Sequence, residues 1–566
     1  MFLLVLFSLV LAYFLWTLVR LAVNYVEART IGLPILFCPV NPAGPLWMLT
    51  KDSLIPIFLR LPFGLGEWAG RAEVGWTFKE RFAIHAKYGE AFIIVSPGEN
   101  DVVLANPAAT EEVMRRRNDF IKNPAMYGML DIYGPNLDTV NGKDWDRHRK
   151  VTVPPFNEQN SALVWRETGE QIEEVLDIWA GKAQVTSTQP DVHAVALNVL
   201  CGAGFGMHSS FVDSKLPPDN NGSVKEHLGY RESLRTLLAN IVQLVILGLL
   251  KRAGVPNWIW FGGMRKLSVA YDEFKSYMAE MLAREKTAFE QGDFSRHNLM
   301  SELVRALELS KQASDSEKGT VTTPAFATGL SDDEVYGNLF IYNLAGHDTT
   351  ASTLHFAITL LASYPEWQAW VAEEIDQVRK AESTGLYYYE QTFPKLRRCL
   401  ALMYETLRLY GPVVMMPRYT GDSAQRLRID DREHVIPPKT TVTLNFAALH
   451  THPDYWGPDP LSFRPSRWIP SGDEKGDDFL QPVSGSYVPW NMGPRVCPGK
   501  KFSQVEFTRV IFGLFANGSR VELVKQCGES DEEARTRALG VVNSAKLEVS
   551  LKMVNAETVA LRWIKP

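Results

Sequence analysis

The chain opens with FLLVLFSLVLAYFLWTLV, Phe2 to Val19, eighteen residues without a charge, and Arg20 comes directly after. As a helix this run covers about 27 Å, close to the hydrocarbon thickness of a bilayer. A secretory peptide would show a basic start, a shorter apolar core and a small-residue cleavage site, and none of these is evident; the pattern predicts an uncleaved transmembrane anchor. Arg20 and Arg29 lie on its C-terminal side, which by the positive-inside bias leaves the remainder in the cytosol. GLPILFCPVNPAGP, Gly32 to Pro45, reads as a stiff extended connector. In YGEAFIIVSPGENDVVLAN, Tyr88 to Asn106, two β-rich runs flank a Pro-Gly turn. Most of the remaining chain has helical spacing, without repeats. The polar stretches Ser214 to Ser223, Ser310 to Gly329 and Ser471 to Asp478 predict surface loops. The expected division is an anchor over 1–20, a proline-containing linker over 21–50, and one large, mainly α domain with a small β part over 51–566.

The longest predicted helix begins in SDDEVYGNLFIYNLAGHDTTASTLHFAITLLASYPE. Ser331 and Glu334 have capping-box spacing, Asp332 and Asp333 suit the positive end of the dipole, and Pro365 marks the stop. Roughly thirty residues give about 45 Å, enough to cross a whole domain. Its centre, Ala345 to Thr350 (AGHDTT), sets a glycine, a carboxylate and two hydroxyls in an apolar surrounding. Gly346 weakens the helix, and Thr349 and Thr350 can bond back to carbonyls. Such a segment is either a solvated kink or a groove where a small molecule meets an acid and a hydroxyl. A second apolar run, Leu237 to Leu250, is too short to span a bilayer. Lys251, Arg252 and NWIWFGG come after it, as expected of an interfacial membrane contact; a buried core helix is the competing reading.

Composition narrows the function. The 566 residues are 46% apolar with a formal charge of −6; no basic tail or stripe points to nucleic acid. Cys38, Cys201, Cys399, Cys497 and Cys527 are scattered and odd in number, which disfavours a disulfide framework or a paired-thiol zinc site and fits a reducing compartment. The sequons at Asn221 and Asn517 are read as loops, since the expected orientation keeps them from glycosylation. The remaining chemistry lies in short motifs. GKDWDRHRK places Trp145 and Arg149 on one helix face, an indole N–H and a guanidinium suited to an anionic group. LALMYETLRLYGP places Glu405 and Arg408 three apart, within pairing reach. FRPSRW holds Arg467 between proline and aromatic neighbours. PWNMGPRVCPGK, Pro489 to Lys500, surrounds one thiol with glycine and proline.

In order these read W-x-x-x-R, A-G-x-D-T-T, E-x-x-R, F-x-P-x-R-W and G-x-R-x-C-x-G, and the chain resembles the cytochrome P-450 superfamily of haem-thiolate monooxygenases over essentially everything after the anchor. The resemblance implies the fold of that family, with haem b between the long central helix and the cysteine loop. It implies Cys497 as thiolate ligand of the iron; Trp145, Arg149, Arg418 and Arg495 as partners of the haem propionates; and Glu405, Arg408 and Arg467 as a structural triad without chemistry of its own. Gly493 and Gly499 fall at the family's loop glycines. Trp490 stands where the family usually has phenylalanine, a ring able to cover the thiolate side of the haem. Asp348 and Thr349 match the acid–alcohol pair that delivers protons for O–O cleavage, a general-acid task.

By the same resemblance, the expected activity is insertion of one oxygen atom from O2 into a lipophilic substrate, in the manner of fungal enzymes of secondary metabolism. The mostly apolar stretches 123–136, Tyr342 to Ala345 and Gly411 to Met416 are the expected pocket walls. Electrons are expected from NADPH through an FAD- and FMN-containing reductase, docking on Lys500, Lys501, Arg147 and Lys150, and the location is expected to be the endoplasmic reticulum membrane, single-pass. A peroxide-rearranging haem-thiolate enzyme is the alternative; a non-enzymatic haem- or lipid-binding membrane protein is a remote one.

Overall fold

The computed structural model describes residues 2–212, 228–293, 297–317, 329–382, 385–470 and 479–566. The chain forms two compact units: Met1–Asn123 with Tyr404–Cys497 and Val541–Val554, and Pro124–Met403 with Pro498–Gly540 and Asn555–Pro566.

The first unit is built on a five-stranded sheet. Its strands are β1 (Ile35–Phe37), β2 (Ala91–Val95), β3 (Asn100–Leu104), β4 (Met416–Tyr419) and β7 (Thr441–Leu444), in the order β1-β2-β3-β7-β4. A separate hairpin joins β5 (Gln425–Ile429) to β6 (Arg432–Ile436). The two runs around Pro97-Gly98 are β2 and β3, antiparallel, with Ile93 opposite Val102. Ile93, Val95, Val102 and Leu104 pack on one face with Val442, Leu444 and Phe446; Phe92, Ile94 and Val103 pack on the other with Trp47, Trp76 and Ile84. A sheet covered on both faces needs apolar residues at successive positions, which is why AFIIV does not alternate. The connector is extended, as expected, but it is not free: β1 pairs in parallel with β2, Ile35 opposite Ile93. Edge pairing satisfies backbone groups that an exposed linker would leave to water.

The first helix runs from Phe2 to Arg29, beyond the expected anchor end. Its C-terminal part is fastened to the first unit: Asn24 Nδ2 donates to Ser96 O at 2.7 Å and Asn100 Nδ2 donates to Asn24 O at 2.9 Å. The side chains of most of its first ten residues lie outside the description. Among the described residues no single helix is long and apolar enough to cross a membrane; one bent pair, Tyr230–Ala239 and Gln243–Lys251 at 105°, has the length and composition.

The second unit is mainly helical, with a small antiparallel pair, Arg520–Leu523 with Leu561–Ile564. The long helix spans Asp332–Ser363, with the predicted capping box formed: Ser331 N donates to Glu334 Oε2 at 2.8 Å and Glu334 N donates to Ser331 Oγ at 3.3 Å. Helices Glu158–Ala180 and Lys500–Leu514 pack closely because glycine stands where they meet. A Cβ on Gly169 would lie 2.4 Å from Arg509 Nη2, and one on Gly513 would lie 2.3 Å from Ile172 Cγ2. The stretch expected as a loop from Ser310 begins as helix, since Leu299–Glu317 is one element; its Glu302–Arg305 pair at 3.0 Å is of the kind that supports a helix locally. Residues 318–328 of that stretch, residues 471–478, and the whole polar stretch from Ser214 to Ser223, Asn221 included, lie outside the described residues. Asn517 sits in a short turn at φ +56 and accepts a hydrogen bond from Arg379 Nη2 at 2.7 Å.

Candidate active site

In the first unit the cysteine loop is held by its own backbone. Cys497 N donates to Trp490 O at 2.8 Å and Val496 N donates to Gly493 O at 3.2 Å. The chain reverses through Asn491 at φ +62 and Gly493 at φ +66, a region in which glycine and asparagine carry little steric penalty. A Cβ on Gly493 would also press on Met114 O at 3.4 Å. The loop therefore presents Cys497 at the surface of its unit, with the thiol exposed. Trp490 meets Tyr404 edge-on at 5.8 Å, so the larger ring is seated in an aromatic cluster.

The other thiols are differently placed. Cys38, Cys201 and Cys399 are buried. Burial pushes Cys38 up to about 11 and Cys201 up to about 12, and raises Cys399 well above the ordinary thiol value, Glu374 adding to it. Such thiols are poor sources of thiolate. Cys527 is exposed but belongs to the second unit.

Arg418 and Arg495 share the first unit with Cys497 and are 2% and 9% exposed. Arg418 is fixed on the edge strand β4, opposite Val442 of its neighbour β7. An exposed thiol accompanied in the same unit by two buried guanidinium groups is a donor set that fits an iron porphyrin with acidic side arms.

The Glu405 triad assembles in this unit as expected. The Glu405 carboxylate, fully buried, accepts from Arg408 Nε at 2.9 Å and Nη2 at 2.8 Å, and from Arg467 Nε at 2.9 Å. Two further donors come from the same FRPSRW stretch, where the sequence assigns a role to Arg467 alone: the Arg464 backbone N at 2.9 Å and Trp468 Nε1 at 3.0 Å. Arg408 in turn donates to the carbonyls of His450, Pro460 and Ser462. Burial works to raise the Glu405 carboxyl, but the charge and hydrogen bonds of Arg408 and the charge of Arg467 hold it below the ordinary value.

In the second unit Trp145 and Arg149 lie on one face of helix Gly142–Thr152, the guanidinium carbon 5.4 Å from the indole centroid. Trp145 is buried and Arg149 half-buried. Arg147 is not the free docking charge that the sequence suggests; it chelates the Glu334 carboxylate, with Nη1 at 2.8 Å, and donates to Gly329 O at 3.0 Å. Burial alone would raise Glu334, but hydrogen bonds from Arg147 and Ser331 bring it down to about 2.

From Gly337 to Ser363 the long helix is buried except at its centre, where Ala345 is exposed and Gly346 and Thr349 are half-buried. Ala345 and Thr349 are one turn apart, so the opening is a strip on one face. The helix is unbroken here: Thr349 Oγ1 donates back to Ala345 O at 2.8 Å and Thr350 Oγ1 to Gly346 O at 3.3 Å. AGHDTT is therefore not a kink: the helix continues through it, and only its exposure differs from the rest.

Asp348 and Thr349 face different neighbours. Asp348 is 6% exposed, and its Oδ1 lies 3.7 Å from His193 Nδ1 on helix Thr188–Val199. His347, 8% exposed, joins them; one ligand atom from each of His193, His347 and Asp348 lies within 4.8 Å of the others. Cys497 is not part of this cluster. Nothing in the sequence links His193 to Asp348, because the contact is made by packing of two helices distant along the chain.

Comparison with known proteins places these features. The model of the family described as cytochrome P450 matches residues 63–539. A cytochrome P450 monooxygenase of Penicillium roqueforti is 30% identical, covering 88% of each chain. A cytochrome P450 monooxygenase of a phomenoic acid biosynthesis cluster in Leptosphaeria maculans is 29% identical, covering 90% of each. A crystal structure of a cytochrome P450 overlays with a TM-score of 0.60 at 18% identity, covering 86% of this chain and 93% of the other, a likeness of fold.

Proposed function

The chain belongs to the cytochrome P450 family, and from that premise we propose that it is a membrane-associated monooxygenase acting on a lipophilic intermediate of fungal secondary metabolism. The observation that carries the reading is the strip at Ala345, Gly346 and Thr349, an opening with an alcohol at its edge and an acid beside it in an otherwise buried helix. The relatives named as monooxygenases, one of them from a biosynthesis cluster, support the pathway class. The pair Asp348–Thr349 favours monooxygenation over the peroxide-rearranging alternative, whose chemistry takes no protons from such a relay.

Cys497 would hold the iron of a bound haem through its thiolate, and that group would supply reductive activation of O2, a thiolate ligand favouring O–O cleavage. Arg418, Arg495, Trp145 and Arg149 are the proposed propionate partners. The net reaction places one oxygen atom in the substrate and releases the other as water, consuming two electrons and two protons. The chain's task is to deliver those protons. Thr349 Oγ1 gives its hydrogen to Ala345 O, so its lone pairs are available to a donor from the strip. Turning that hydroxyl outward makes it a proton donor at Oγ1, and Asp348, shielded from bulk water, is the acid that re-protonates it through a water.

The proposed electron source is an FAD- and FMN-containing NADPH reductase. Of the expected docking charges, Lys150 and Lys500 are exposed, whereas Lys501 is partly engaged, 4.6 Å over the Phe393 ring and 4.0 Å from Glu158 Oε1. The proposed location is the endoplasmic reticulum membrane, with anchor 1–20, linker 21–50 and catalytic domain 51–566. Thr349→Ala tests the mechanism: haem and substrate binding persist while NADPH consumption diverts to peroxide. Equal coupling of NADPH to product in both proteins refutes the relay.

A further inference from the structure

The cluster at Asp348 has a composition that proton delivery does not require. An acid alone serves that role, yet here two imidazoles converge on it, one from the same helix and one from helix Thr188–Val199. Two histidines and one carboxylate are a donor set of open transition-metal sites, which keep a further position for water. Imidazole and carboxylate together suit the later first-row divalent ions.

Three details support a ligand set rather than a chance meeting. The first is the orientation of His347. Its Nδ1 lies 2.8 Å from Asn343 O, a contact in which Nδ1–H donates to the carbonyl. That assigns the hydrogen to Nδ1 and makes Nε2 the ligand atom, the arrangement by which outer partners prepare a metal-binding histidine. Asn343 is itself held: its Nδ2 donates to Leu339 O at 2.8 Å, and Tyr230 OH donates to its Oδ1 at 3.3 Å. The second is access. His193 has a side-chain exposure of 20%, against 8% for Asp348, so an ion has an entry path and one ligand is able to move. The third is spacing. The ligand atoms lie within 4.8 Å of one another, and tetrahedral zinc with bonds of about 2.0–2.1 Å needs neighbours about 3.4 Å apart. The His193–Asp348 pair, at 3.7 Å, is already close to that spacing.

We propose that His193, His347 and Asp348 form a binding site for a divalent transition ion of the Zn2+ class, and that occupation of this site withdraws Asp348 from proton delivery. The inhibitory half rests on the relay proposed above; the binding half does not. Zinc so placed is a reversible brake, distinct from the iron site and indifferent to the substrate.

The experiment uses the full-length haem-loaded enzyme, stripped with chelator and dialysed against zinc chloride, with zinc and iron measured by elemental analysis. The wild type retains about one zinc per haem. His193→Gln and His347→Gln, each first shown to keep its haem and its reduced carbonyl spectrum, require about ten-fold or more zinc for the same occupancy, the scale on which lost coordination partners are felt. If His347→Gln fails to load haem, His193→Gln carries the test, its ring being partly exposed. Zinc retention equal in wild type and His193→Gln places the ion elsewhere and overturns the site, as does failure of the wild type to retain zinc. In turnover assays zinc slows the wild type and raises its peroxide yield without changing the substrate-binding spectrum, and His193→Gln is relieved of the effect. Zinc that binds the site but leaves wild-type coupling untouched overturns the brake; if Thr349→Ala is also fully coupled, the relay itself has failed.

Discussion

Glu405→Gln removes one negative charge from a fully buried site and leaves the shape nearly unchanged. The wild-type carboxylate receives five hydrogen bonds, four from side-chain donors of Arg408, Arg467 and Trp468 and one from the Arg464 backbone. The amide presents one oxygen and one NH2 group, so one side of the site sets donor against donor. It also leaves two guanidinium groups, 0% and 5% exposed at their side chains, without their counter-charge. Removing one partner of a buried ion pair costs about 3–5 kcal/mol, against a total stability of about 5–15 kcal/mol. The exposed pair Arg426–Glu433, at 75% and 59% side-chain exposure, provides the control: Glu433→Gln is expected to cost about 0–1 kcal/mol. Urea unfolding followed by far-ultraviolet circular dichroism and tryptophan fluorescence measures both, with haem content recorded in parallel. Because Glu405 is held below the ordinary carboxylate value, its contribution is present above that value and is lost as pH falls through the depressed one. The gap between wild type and Glu405→Gln is therefore widest at neutral pH and narrows in acid. A Glu405→Gln protein no less stable than Glu433→Gln refutes the argument that this network holds the first unit together.

Cys497→Ala is expected to abolish the thiolate-type reduced carbonyl spectrum, while alanine at Cys38, Cys201, Cys399 or Cys527 leaves it in place; a retained spectrum in Cys497→Ala reassigns the ligand. Asp101, with Oδ1 buried and unbonded, is pushed up to about 7 by burial and then by Glu99, so it stabilises the fold in acid and ceases to do so as pH rises through 7; Asp101→Asn is expected to raise the unfolding midpoint at pH 8 more than at pH 5, and a pH-independent effect removes this group as the cause. Trp258 and Phe261, each 80% exposed beside the apolar helix Ile241–Arg252, are expected to keep a protein lacking residues 1 to 20 on phospholipid vesicles; clean partition of that truncated protein into the soluble fraction, with or without Trp258→Ser and Phe261→Ser, assigns the run to the core.

What the sequence determined was whatever depends on local chemistry. Ser331 and Glu334 cap the long helix because their spacing alone satisfies its first amides, and Pro365 ends it because proline lacks the donor that a helix interior needs. The strands around Pro97-Gly98, the shared face of Trp145 and Arg149, and the grouping of Glu405, Arg408 and Arg467 were likewise legible, the last through motifs. Tertiary structure decided the rest, because contacts between residues distant along the chain leave no periodic signal. It paired β1 with β2 where an open connector was expected, and it engaged Arg147 with Glu334 rather than leaving it at the surface. It added Trp468 and the Arg464 backbone to the Glu405 carboxylate, and it set His193 against Asp348. Exposure was decided there too: Ala345 is as apolar as its neighbours, and only the packing around the helix leaves it uncovered.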